Sequence, residues 1–174
     1  VRAAYATDAA WPASPGKSRS ADRLTRALKE NPNTKLFLKM NCQTLEDAPS
    51  HNVIGELRGS EFPNEIITIG GHLDSWDVGQ GAHDDGSGCM QSIQVLRILQ
   101  KYGIRPKRTI RAVMFMNEEN GTRGGQRYAE LAEKNQENHL IALESDAGAF
   151  SPRGFGVTAE DATIKKIRSC LLYT

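Results

Sequence analysis

No stretch of this 174-residue sequence is apolar for long enough to cross a bilayer; the longest run, 112–116, is strand-sized and gives way at once to Asn117-Glu118-Glu119. A helical membrane span is therefore not expected. An excess of charge of either sign is missing too, because 22 Lys and Arg nearly cancel 21 Asp and Glu and leave a net charge of +1. With so little field, neither a nucleic acid nor an anionic membrane surface is an expected partner. Cysteine is scarce. Cys42, Cys89 and Cys170 are odd in number, far apart and without a C-x-x-C spacing, which argues against a disulfide framework or a thiolate zinc site. Cys89 falls on an apolar helical face, where a buried and inert thiol is expected. The sequence opens on Val1 with no basic segment leading into an apolar one, so any export signal is expected to be absent or already removed.

What remains is an ordinary globular composition, 39% hydrophobic, long enough for one domain with a core. The first twenty residues, rich in Ala, Ser and Pro, show no sustained periodicity and read as irregular. Ser20 can cap a helix to about Glu30 that Asn31-Pro32 ends, and 35–40 reads as a strand. From Asn52 the pattern becomes regular. A strand over 53–57, a turn over 58–64 and a buried strand over 65–69 precede a helix with Cys89, Ile93 and Leu96 on one face, which stops near Gly103. A buried strand over 109–116, a helix over 126–134 with Tyr128 and Leu131 inward, and a strand over 140–143 follow. This alternation predicts an α/β fold, a three-layer sandwich with a largely parallel mixed central sheet and helices on both faces.

Sheets of that kind hold ligands beyond the carboxyl ends of their strands, and chemically able residues stand at those places. After 66–69 come His72 and Asp74; after 109–116 come Glu118 and Glu119; after 140–143 come Glu144 and Asp146. The glycine-rich loop GHLDSWDVGQGAHDDGSG adds Asp84 at the start of a helix. Mixed imidazole and carboxylate donors suit zinc, manganese or cobalt, whereas calcium or magnesium would use oxygen alone. His72 would ligate through one ring nitrogen, with Asp74 orienting the ring or its surroundings. Asp84 can bridge two metals, and of Glu118 and Glu119 one can bind metal while the other serves as general base. Two metals about 3.5–4 Å apart would activate a shared water and stabilise a tetrahedral oxyanion.

Each piece alone has a plainer explanation. Asp84-Asp85-Gly86 makes a solvated turn, Glu118-Glu119 a soluble strand end, and Asp146 by itself is an even bet. Position after buried strands shifts the balance to a metal site. His51 and His139 read as structural, His83 as lining the pocket without coordinating, and Asp85 carries no metal role. Glu144 either faces the cleft or merely ends its strand. The glycines near Gly79 and Gly81 lack the strand-to-helix context of a phosphate loop and are flanked by acids that would repel phosphate.

His72-Leu73-Asp74-Ser75, Asp84-Asp85-Gly86-Ser87-Gly88, Asn117-Glu118-Glu119 and Glu144-Ser145-Asp146, in this order, resemble the motifs of the di-zinc exopeptidase family of zinc aminopeptidases and carboxypeptidase Q. Ser75-Trp76-Asp77-Val78-Gly79, Arg105-Pro106-Lys107-Arg108-Thr109 and Glu144-Ser145-Asp146-Ala147-Gly148 are most similar to its carboxypeptidase Q branch. The resemblance spans about 20–156. It implies two zinc ions, with His72, Asp84 and Asp146 on one and Asp84 and Glu119 on the other, Glu118 as general base and Asp74 as catalytic aspartate. The family adds a downstream histidine to the second zinc, which this chain does not reach by Thr174. Residues 1–40 are then expected to be an N-terminal segment left from an inserted lid, and 41–174 a catalytic metallopeptidase domain incomplete at its C-terminus. The implied activity is hydrolysis of short peptides or dipeptides, as an aminopeptidase, carboxypeptidase or dipeptidase, in a secreted or periplasmic setting, with a homodimer left open. The rival expectation is a non-catalytic binding module or inactive fragment on the same fold.

Overall fold

A computed structural model describes residues 19–35, 37, 39, 41, 43, 45–76, 79–146, 148–151 and 154–171. The chain divides into two units, Val1–His51 and Asn52–Thr174. In the first, helix α1 (Arg19–Glu30) has Asp22 in its first turn and Lys29 in its last, charges that suit the two ends of the helix dipole. The Asn31 N–H still reaches the Ala27 carbonyl at 2.9 Å, and Pro32 then ends the ladder. α1 already includes Ser20, so Ser20 is not the flanking cap expected of it; helix ends shift by a residue or two where several polar residues compete. Of the strand expected at 35–40, Leu36, Leu38 and Met40 lie outside the described residues, and Lys35, Phe37 and Lys39 are irregular. Cys42 also lies outside the described residues.

The second unit runs β1 (Val53–Leu57), β2 (Phe62–His72), α2 (Gly86–Lys101), β3 (Arg108–Phe115), α3 (Arg123–Lys134), β4 (Asn138–Glu144) and α4 (Asp161–Leu171). The sheet order is β1-β3-β2-β4. β2 is parallel to both its neighbours, and β1 lies antiparallel on β3. The largely parallel mixed sheet expected from the sequence is therefore present.

β2 is longer than expected at both ends. Pro63 and Asn64 look like turn residues, yet the Phe62 N–H donates to the Lys107 carbonyl at 2.8 Å and the Pro63 carbonyl accepts from the Thr109 hydroxyl at 2.8 Å. A register shift against β3 between Phe62 and Ile66 accommodates the proline, which has no N–H for a regular ladder. At the other end Gly70, Gly71 and His72 pair with Val113, Met114 and Phe115. His72 is thus the last residue of the strand rather than part of the loop after it, and the ladder fixes its direction.

Alternation along β3 sorts the two faces. Ala112 and Met114, with Ile69 of β2, pack against Cys89, Ile93 and Leu96 of α2. On the other face Phe115 meets Tyr128 of α3 edge-on at 5.7 Å, and Arg111 reaches the Tyr128 hydroxyl at 3.2 Å and Glu137 at 2.7 Å. Helices therefore cover both faces, giving three layers. The second face is partly polar: the Thr68 hydroxyl donates to His139 Nδ1 at 2.8 Å, and His139 Nε2–H donates to Glu137 at 2.9 Å. His139 is structural, as expected. Leu131 is 38% exposed instead of inward.

Met114 is 4% exposed at the centre of the α2 face. Met114→Ala should lower the unfolding free energy by about 2–5 kcal/mol. A urea titration in which the midpoint did not move would show that this cluster is not the core. No described helix is long and apolar enough to cross a membrane.

The connection from β2 leads through α2 to β3, and the one from β3 leads through α3 to β4 on the far side of β2. The chain thus leaves the carboxyl ends of β2 and β3 toward opposite faces. That divergence opens a crevice at the sheet edge.

Candidate metal centre

His72 stands at this crevice and is 1% exposed. Its Nδ1 lies 2.9 Å from the Asp74 main-chain carbonyl, a contact that places the ring proton on Nδ1 and turns the Nε2 lone pair outward. Around Nε2 gather Asp146 Oδ1 at 3.1 Å, Asp84 Oδ1 at 3.2 Å and Glu118 Oε2 at 3.9 Å. Donor atoms of His72, Asp84 and Glu119 all fall within 4.8 Å of one another. One imidazole and carboxylates from three separate loops thus converge on one spot.

Asp74, expected to orient the His72 ring or its surroundings through its carboxylate, meets the two with different groups. The Asp74 carbonyl takes the ring, and the carboxylate does something else: it accepts the Glu118 N–H at 2.9 Å and the Glu119 N–H at 3.2 Å. Asp74 therefore ties the end of β2 to the turn that carries both glutamates. Asp85, for which the sequence predicts no metal role, is a second tie of the same kind. Its carboxylate is 1% exposed and accepts the His72 N–H at 3.0 Å and the Gly88 N–H at 2.9 Å. It caps α2 and fixes the backbone of His72 in one step. Each of its oxygens already accepts one N–H, yet one of them also lies within 4.8 Å of donor atoms of His72 and Asp146, a second candidate metal group, which the sequence does not predict. The signal for Asp85 is an aspartate directly before Gly86 at a helix start, hidden because Asp-Asp-Gly also reads as a turn.

Gly88 has a steric reason to be glycine. A Cβ there would overlap the Ser145 carbonyl and the Asp85 carboxylate, so the start of α2 touches the segment that carries Asp146. Cys89, next in the helix, is buried, and its thiol donates to the His72 carbonyl at 3.1 Å. Burial, with Asp85 and Glu144 nearby, pushes the thiol pKa up to about 11, as expected of an inert cysteine. The His83 ring meets Phe150 edge-on at 4.9 Å, and its Nδ1 accepts the Ala149 N–H at 3.4 Å.

The electrostatics are those of acids crowded without enough positive charge. Desolvation, then the neighbouring Asp84, raises the Glu119 pKa to about 7. Desolvation also raises that of Glu118, with Asp146, Asp74 and Asp84 adding to the shift. Glu144 is shifted upward by desolvation and by the charges of Asp146 and Glu118, which puts it within the field of the cluster. Burial opposes a charged His72, but the Asp74 carbonyl and the Asp146 carboxylate outweigh it and raise its pKa to about 9. The surroundings thus favour a positive charge beside Nε2, and a metal ion satisfies that demand as a proton does. A second observation agrees: Glu119 Oε1 is buried and has no hydrogen-bond partner, an arrangement that costs free energy unless something cationic meets it. The donor set fits a borderline metal such as zinc.

Imidazole and carboxylates are thus massed at the carboxyl edge of a mixed α/β sheet, as a metal centre requires. A family model described as peptidase family M28 matches residues 52–171, and the chain belongs to that family. It is 39% identical over 154 residues to carboxypeptidase Q of Rattus norvegicus, an alignment covering 87% of this chain and 33% of that protein. To the probable leucine aminopeptidase 2 of Aspergillus oryzae it is 31% identical over 99 residues, covering 57% and 18%. The crystal structure of a peptidase M28 precursor from Shewanella amazonensis SB2B superposes with a TM-score of 0.51 at 44% identity, covering 56% of this chain and 22% of that one. The chain spans about a third of the length of the carboxypeptidase Q relatives it matches.

Proposed function

We propose that this chain carries the metal-binding catalytic sheet of a zinc-dependent exopeptidase that hydrolyses short peptides or dipeptides. The observation that supports it most is the convergence on His72 Nε2 of Asp84 and Asp146, each within 3.2 Å, from two different loops. His72, Asp84 and Asp146 would hold one zinc, and Asp84 and Glu119 would contribute to a second. Zinc bound there supplies Lewis acidity, which makes water a nucleophile at neutral pH and offsets negative charge on the carbonyl oxygen under attack.

The chain's own residues do the rest. The Glu118 carboxyl, 3.9 Å from His72 Nε2 and about one-third exposed, would take the proton of the attacking water and hand it to the leaving amine. Asp74 holds both glutamates by their backbone N–H groups and the His72 ring by its carbonyl. It acts by position, setting donor and base at a fixed separation.

The test is a zinc titration of the protein as it stands, read by calorimetry and by thermal unfolding. Saturable binding should raise the unfolding temperature, with about 2.7 kcal/mol of stabilisation at a free zinc concentration 100 times Kd. His72→Ala should abolish the tightest binding, and a chelator should suppress hydrolysis of a dipeptide. Folded protein with neither bound zinc nor turnover would replace this reading by a non-catalytic module on the same fold.

A further inference from the structure

The geometry assigns to Asn52 the role of a positioning residue that holds the turn bearing Glu118 and Glu119 in place. This rests on the reading of those two carboxylates as base and donor. Asn52 lies just before β1, and its side chain reaches across to both ends of the segment between β3 and α3. Its Oδ1 accepts the Met116 N–H at 2.9 Å, and its Nδ2 donates to the Gly124 carbonyl at 2.8 Å. The Gly124 N–H in turn donates to the Met116 carbonyl at 2.9 Å. Three hydrogen bonds thus close a ring through Met116, Asn52 and Gly124. The amide can sit only one way round, because a flip would set NH2 against N–H and oxygen against oxygen.

The closed segment needs such a clasp. Asn117 and Thr122 both have left-handed backbones, at φ 67° and 55°, and for a β-branched threonine that conformation is costly. Thr122 flanks the start of α3 without capping a main-chain N–H there, its hydroxyl accepting instead from the Gln126 side chain at 3.0 Å. Buried Asn117 Oδ1 has no hydrogen-bond partner. A segment so strained keeps its shape only if its surroundings impose it. Asp74 grips the middle at the Glu118 and Glu119 N–H groups, and Asn52 grips the two ends. Gly124 shows how tight the clasp is, since a Cβ there would overlap the Met116 carbonyl and Asn52 Oδ1.

The Asn52 side chain bonds the ends of the turn and neither glutamate among the described hydrogen bonds, so its effect must pass through the turn. Two measurements on Asn52→Ala test this: zinc affinity, and amide hydrogen exchange resolved by peptide. Exchange over 116–124 should quicken about tenfold while β2 and the rest of β3 hold their protection, because two net hydrogen bonds are lost at one place. Zinc affinity should fall about tenfold, the lower end of what an outer partner of a metal ligand contributes. Ile54→Ala, a half-exposed change in the adjoining strand, should move neither quantity. If Asn52→Ala does not fold, Asn52→Asp carries the test: it keeps the acceptor for Met116 and loses the donor to Gly124, so faster exchange should concentrate at the Gly124 end. Exchange that is unchanged over 116–124, or that rises equally across the sheet, overturns the assignment. So does local loosening with zinc affinity intact, which would make Asn52 structural only. Wild-type protein that binds no zinc would sink the exopeptidase reading instead, and the exchange pattern would still decide whether Asn52 holds the turn.

Discussion

Glu118→Gln should reduce kcat for dipeptide hydrolysis about 10²–10⁴-fold in the zinc-loaded protein while zinc affinity stays within a few-fold of wild type. Glutamine keeps the length and shape of the side chain, and its main-chain N–H still meets Asp74. What it cannot do is accept a proton. The position suits a general base, because Glu118 is close to the His72–Asp146 pair without being its nearest acid, lying 3.9 Å from Nε2 where Asp84 and Asp146 lie at 3.2 and 3.1 Å. Desolvation and three neighbouring carboxylates move its pKa upward from the usual carboxyl value, the direction wanted in a base that must later release its proton as an acid. Glu119→Gln is the informative contrast. Its buried Oε1 has no hydrogen-bond partner, so this change should weaken zinc binding along with turnover. Equal loss of zinc in both variants would remove the division of labour drawn between the two glutamates.

The second large effect falls on stability. Asp85→Ala should cost about 2–4 kcal/mol, because the His72 and Gly88 N–H groups would be left in a buried setting without an acceptor, at about 1–3 kcal/mol each. Part of that is returned, since the carboxylate is itself desolvated and its pKa is raised by burial. Asp85→Asn, which keeps one acceptor oxygen, should recover roughly half. Urea unfolding of the three proteins side by side gives the answer, and a loss below about 1 kcal/mol for the alanine variant would mean that the two N–H groups find other partners. Asp84→Asn, one residue away, should leave stability nearly unchanged, because the Asp84 side chain is 54% exposed.

These neighbours also show what the sequence could and could not reveal. Strands β1, β3 and β4 and helices α2 and α3 were legible to within a few residues, because each alternates or repeats within its own span and turn residues bound it. β2 reads short in the sequence since Pro63, Gly70 and Gly71 carry no strand preference, and only pairing with β3 and β4 holds them in the sheet. In the site, the residue types at the strand ends were legible, and the structure brings His72, Asp74, Asp84, Glu118, Glu119 and Asp146 together. The way they are braced was not legible. Asp85 looks like the exposed half of a turn until its two N–H partners are known. Asn52 binds backbone groups 64 and 72 residues further along the chain, and no local pattern encodes a contact of that range. The two jobs of Asp74, carbonyl to a ring and carboxylate to a turn, likewise appear only once β2 and β3 lie side by side.

The sheet order bears on how such a site would fail. His72 ends β2, which has a parallel neighbour on each side, whereas Asp146 follows β4, one of the two outer strands among the described residues. Marginal strands fray before central ones, so warming would carry Asp146 away before His72. The cluster is unequal in permanence: its imidazole is as durable as the centre of the sheet, and Asp146 is only as durable as the outer strand it follows.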